Sequence, residues 1–106
     1  MNIDFALTGG YASLNLTLQV ETENLPAELA AQIEAKVAEA GFFELLPEAL
    51  KPKEPGPPDV LTYRISISTP GRSQTVVVND LTAPEALRPL LGILQDLAWE
   101  QRRRAR

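Results

Sequence analysis

The chain contains no cysteine and no histidine. Those two absences remove disulfides, thiol nucleophiles, Cys/His zinc sites and imidazole acid–base catalysis together. The serines, Ser13, Ser66, Ser68 and Ser73, lie in no Gly-x-Ser-x-Gly elbow, and no imidazole is present to activate one. Lys36, Lys51 and Lys53 fall on a helix or in a proline-rich stretch, with no apolar setting to depress an ammonium pKa. No acidic calcium loop and no phosphate-cradling glycine motif occurs. The reading is of a protein that is not an enzyme, with no cofactor and no metal of its own.

Long apolar runs are also missing. No segment approaches the roughly 20 residues that span a bilayer. Met1-Asn2-Ile3-Asp4-Phe5 lacks the basic and apolar regions of a secretory signal. Synthesis in the cytoplasm is the expectation, with no membrane partner. Aromatic residues are few, 6% of the chain, and acidic residues outnumber basic ones by 14 to 10. The basic residues crowd the end: Arg102, Arg103, Arg104 and Arg106 make the tail from about 100 to 106 positive, leaving the body before it strongly acidic. Such a body repels a phosphate backbone, and a cationic helix end is favoured by the helix dipole alone. No nucleic-acid partner is expected.

What is present is the pattern of one small domain over residues 1–106, with 44% apolar and 23% charged residues. Ile3, Phe5 and Leu7 alternate with polar or small neighbours, then Gly9-Gly10 offers a tight hairpin turn. Leu14, Leu16, Leu18 and Val20 alternate with Ser13, Asn15, Thr17 and Gln19, a strand with one wet face. Asn24 is placed to cap a helix reaching about Ala40, with Pro26 in its first turn. Leu25, Leu29, Ile33 and Val37 form its buried stripe, and Glu28, Glu34 and Glu39 its wet side. Gly41 suits a left-handed stop, with Phe42 folding back toward Val37.

Residues 43–59 lose all periodicity and hold Pro47, Pro52, Pro55, Pro57 and Pro58 of the chain's 9 prolines. This predicts a stiff loop within the domain. Leu61, Tyr63, Ile65 and Ile67 then resume alternation, Pro70-Gly71 reads as a type II turn, and Gln74 to Asn79 returns. Thr82 and Glu85 have the spacing of a capping box ahead of a last helix. Its apolar face is Leu87, Leu90, Leu91, Leu94 and Leu97, and Pro89 moves the start of its main body to about residue 89. The order ββαββα implies an α+β fold: an antiparallel four-stranded sheet with two helices packed on one face.

Across nearly the whole chain the sequence resembles the emfourin family, small bacterial inhibitors of thermolysin-type, protealysin-like metalloproteases. The resemblance rests on the order and spacing of Gly9-Gly10-Tyr11-Ala12, Thr22-Glu23-Asn24-Leu25-Pro26, Gly41-Phe42-Phe43, Leu45-Leu46-Pro47, Pro58-Asp59, Tyr63, Gln74-Thr75-Val76 and Pro84-Glu85-Ala86-Leu87-Arg88-Pro89-Leu90-Leu91. The chain departs from the family pattern at Gln74, where a histidine is expected, at Leu61, where an aromatic is expected, and at Ser13, often a glycine.

The resemblance implies an inhibitor of a thermolysin-like zinc metalloprotease, acting with a loop carboxylate at the partner's zinc and apolar loop residues in its substrate pockets. An open zinc coordination position accepts a carboxylate oxygen as readily as water. Two carboxylates have the right form: Asp59, two residues before Leu61 at the end of the proline loop, and Glu23, two residues before Leu25. Asp59 is favoured because proline flanks lower the entropy cost of presenting it. Leu45, Leu46 and Leu50 are the loop's apolar candidates, Leu45 equally suited to the core. The rival reading is a non-catalytic interaction module using the polar sheet face, for instance in a homodimer.

Overall fold

A computed structural model of the chain describes residues 1–10, 14–52 and 60–104. Four strands, β1 (Asn2–Gly9), β2 (Leu14–Glu21), β3 (Leu61–Ser68) and β4 (Ser73–Asn79), form one sheet in the order β2-β1-β3-β4. Every pairing is antiparallel. Among the described residues three helices complete the α+β fold: α1 (Ala27–Glu39), a single turn α2 (Pro47–Leu50), and α3 (Arg88–Arg104).

The alternation in the sequence sets the two faces of the sheet. Ile3, Phe5, Leu7, Leu16, Leu18, Tyr63, Ile65, Ile67, Val76 and Val78 all point into one core, where Ile33, Val37, Leu87, Leu90, Leu91 and Leu94 meet them from the helices. Register explains why the face is continuous: Phe5 stands opposite both Leu18 and Ile65, and Ile65 opposite Val76. Asn15, Thr17 and Arg64 on the other face are exposed, Ser66 and Ser68 half-buried. Ser66 and Thr75 share a hydroxyl–hydroxyl bond of 2.8 Å across that face.

Several local expectations are corrected. Asn24 caps nothing: it lies in a 3₁₀ turn, Thr22–Asn24, and its amide donates to Glu21, while Pro26 precedes α1 without a side-chain cap. Gly9 still pairs with Leu14, so the first hairpin is not closed tightly at Gly9-Gly10. Both glycines nonetheless take positive φ, 105° and 77°. Gly41 is left-handed as expected, at φ 59°. Pro70-Gly71 is not a type II turn, because that type needs positive φ at Gly71 and Gly71 does not have it. Thr69 and Arg72 close it with paired backbone bonds, and β4 starts at Ser73 rather than Gln74.

The stretch after Phe43 is not structureless: a 3₁₀ turn at Phe42–Glu44 leads to α2, where Pro47 sits in the first turn and its missing N–H costs nothing. Residues 53–59 of the proline-rich stretch, Asp59 included, lie outside the described residues, as do 11–13 and the last two of the basic tail. Thr82 and Glu85 do not form a capping box. A 3₁₀ turn, Glu85–Leu87, follows Pro84 without a side-chain cap, and the Thr82 hydroxyl accepts the N–H of Asn79 instead. α3 begins at Arg88, which puts Pro89 in its first turn as the sequence requires. Its far end is buried through Ala98 rather than Leu97, which is only half-buried.

Candidate functional site

β1 runs the height of the sheet and defines two ends. At one, Asn2 faces Glu21 and Ser68; at the other, Gly9 faces Leu14 and Leu61. Eight strand residues at about 3.3 Å each put those ends about 23 Å apart. Glu23 and Leu25 follow β2 at the first end, and Leu61 opens β3 at the second. Leu25 and Leu61 therefore belong to opposite ends of the sheet.

The Leu61 end is built from three segments. The hypothetical Cβ of an alanine at Gly9 falls 3.0 Å from the Val60 carbonyl oxygen, and one at Gly10 falls 3.2 Å from Leu61 Cδ2. Gly9 thus lies tight against the backbone at the start of β3, and Gly10 against the Leu61 side chain. Asp80, just past β4, holds the same point from the other side. Its Oδ2 accepts the N–H of Leu61 at 2.9 Å, and its own N–H donates to the Leu61 carbonyl at 3.2 Å. Its Oδ1 accepts the Tyr63 hydroxyl at 2.8 Å. Burial, together with the hydrogen bond and charge of Asp80, pushes the Tyr63 phenol up to about 12, the Arg88 charge opposing. The Arg88 guanidinium donates to the carbonyls of Asp80 and Ala83, at 2.9 and 3.3 Å. Asp59 lies outside the described residues, two positions before Leu61.

Glu23, at the other end, is exposed but occupied. Its Oε1 accepts from the Met1 amino group at 2.6 Å, and that bond, with a backbone hydrogen bond, holds its carboxyl below the usual range. Leu25 is half-buried against the core. Leu46 and Leu50 lie on a third surface, the flank beside β4. There Gln74 Nε2 donates to the Leu45 carbonyl at 2.7 Å, and Arg72 places its guanidinium 4.4 Å from the Phe43 ring centre. Leu45 and Leu50 pack partly against the core, whereas Leu46 is 70% exposed.

Sequence reasoning missed Asp80 and Leu81. Leu81 is 69% exposed, comparable only to Leu46 among the large apolar side chains described. Leu81 continues neither the strand alternation before it nor the helical spacing after it, and that mismatch was the available signal. Among the described residues no cluster of three or more carboxylates could hold a metal ion, and no helix is long and apolar enough to cross a membrane.

The architecture is thus a small α+β domain. A family model described as Emfourin matches residues 5–95, and the chain belongs to the emfourin family. That membership gives the general role, inhibition of a metalloprotease, and a protease as partner. No curated protein and no solved structure matches the chain.

Proposed function

We propose that the protein inhibits a thermolysin-like zinc metalloprotease by directing the Leu61 end of its sheet into the catalytic cleft. The Asp59 carboxylate takes the open coordination position of the partner's zinc, displacing the water that would attack a peptide. Leu61 then lies two residues away on a backbone already fixed. The observation that carries this choice is the double clamp on Leu61: its N–H and carbonyl are both bonded to Asp80. Leu61, held at both backbone groups, loses little entropy on binding.

Titration of a thermolysin-like protease with the wild-type protein, Asp59→Ala and Glu23→Ala tests the assignment, following peptide hydrolysis. Inhibition should weaken strongly in Asp59→Ala, with an unchanged circular dichroism spectrum, and persist in Glu23→Ala. The opposite pattern would move the site to the Glu23 end and leave family membership untouched.

A further inference from the structure

Beside the Leu61 end, the turn after β4 spends a buried side chain on fixing one exposed leucine. Asn79 is 4% exposed. Its Oδ1 accepts the N–H of both Leu81 and Thr82, each at 2.8 Å. Its carbonyl accepts the N–H of Thr82 and Ala83, at 3.2 and 3.0 Å, and its own N–H donates to Thr82 Oγ1 at 3.0 Å. Asp80, the residue before Leu81, is pinned through its N–H, its carbonyl and both carboxylate oxygens. The backbone on either side of Leu81 is therefore held, while its side chain stands 69% in solvent.

The Asn79 bonds turn the chain from β4 toward Pro84 and leave the Leu81 side chain in solvent. An exposed leucine forgoes burial, and an asparagine taken into the interior must be fully hydrogen-bonded to be tolerated. A side chain that enters a well-packed pocket contributes more when it need not first lose conformational freedom. Leu46, equally exposed, lacks this support: it precedes a single helical turn with no side-chain cap, on the flank beside β4.

We propose that Leu81 is a specificity-determining anchor, seated in an apolar substrate pocket of the protease that receives the Leu61 end. This inference rests on the reading given under Proposed function. Leu61 and Leu81 are tied together through Asp80, so a partner that receives the Leu61 end meets Leu81 in the same approach.

The test is inhibition of a thermolysin-like protease with an apolar primary pocket by wild type, Leu81→Ala, Leu81→Met and Leu81→Asp, each checked for folding and for mass by sedimentation. Leu81→Ala should raise the inhibition constant roughly 10- to 100-fold, as for an interface hot spot. Leu81→Met should stay near wild type, and Leu81→Asp should lose inhibition. Wild-type inhibition with Leu81→Ala equally potent overturns this inference and spares the proposed function. Failure of wild type to inhibit overturns both. A change of oligomeric mass in Leu81→Ala assigns Leu81 to a second copy of the chain and also overturns the inference.

Discussion

The Tyr63 hydroxyl donates to one oxygen of Asp80 while the other oxygen of the same carboxylate receives the Leu61 N–H. One side chain past the end of β4 thereby ties the start of β3 to a phenol from its core face. The arrangement opposes ionisation of Tyr63, since a phenolate would be desolvated and set against a carboxylate. With the folded value near 12 against an ordinary 10, the folded state binds the proton more tightly. The resulting stability is complete below pH 10 and is lost as the pH rises through 12. In a Tyr11→Phe variant, which leaves Tyr63 as the single tyrosine, the ultraviolet tyrosinate band should therefore appear about two units above its position in denaturant.

Removing the acceptor has a different cost from neutralising it. Asp80→Ala leaves the Leu61 N–H and the Tyr63 hydroxyl without partners, and should destabilise the protein by about 2–3 kcal/mol. Asp80→Asn keeps an acceptor for Leu61 and supplies a donor that the Tyr63 oxygen can accept, so its loss should be the smaller. Urea unfolding of the two variants separates them, and in Asp80→Asn the Tyr63 titration should also move downward.

The fold was legible wherever side-chain alternation alone decides the face. Ile3, Phe5 and Leu7, or Tyr63, Ile65 and Ile67, can be buried together in only one register. Gly41 was equally legible, because a left-handed residue after a helix is nearly a signature of glycine. Local polar residues were not. Asn79 and Thr82 carry groups that serve a helix cap and an Asx turn equally well, and the choice fell to a backbone that had to turn between β4 and Pro84. α2 escaped notice because one helical turn is too short to show a period. At the candidate site Leu61 was named through the family resemblance, whereas Asp80 reaches it by a contact across 19 positions that no local pattern carries.

The glycines discriminate between backbone strain and crowding. At Gly41 a Cβ meets nothing within 4 Å, so Gly41→Ala pays only for the left-handed φ of 59°, about 1 kcal/mol. At Gly9 the φ of 105° lies beyond that basin, and the new methyl group meets the Val60 carbonyl at 3.0 Å. Gly9→Ala should cost about 2–3 kcal/mol, as strained positions do. Because the collision is at the start of β3, Gly9→Ala should also weaken protease inhibition at concentrations where both variants are folded, whereas Gly41→Ala should not.

The outer edge of β4 is guarded by the segment that contains Leu45, and Gln74 is the side chain that holds it there, through the 2.7 Å bond from Nε2 to the Leu45 carbonyl. An uncovered strand edge exposes unpaired backbone groups. Gln74→Ala should therefore lower stability by about 1 kcal/mol, the net worth of a neutral hydrogen bond. It should also speed amide hydrogen exchange along β4 and through α2 while leaving β1 and β2 protected. Gln74→His, which restores an N–H donor and the residue expected of the family at this position, should recover most of the protection. Equal exchange in wild type and Gln74→Ala would mean that α2 is held by its apolar contacts, Leu45 and Leu50 against the core, and that the amide is incidental.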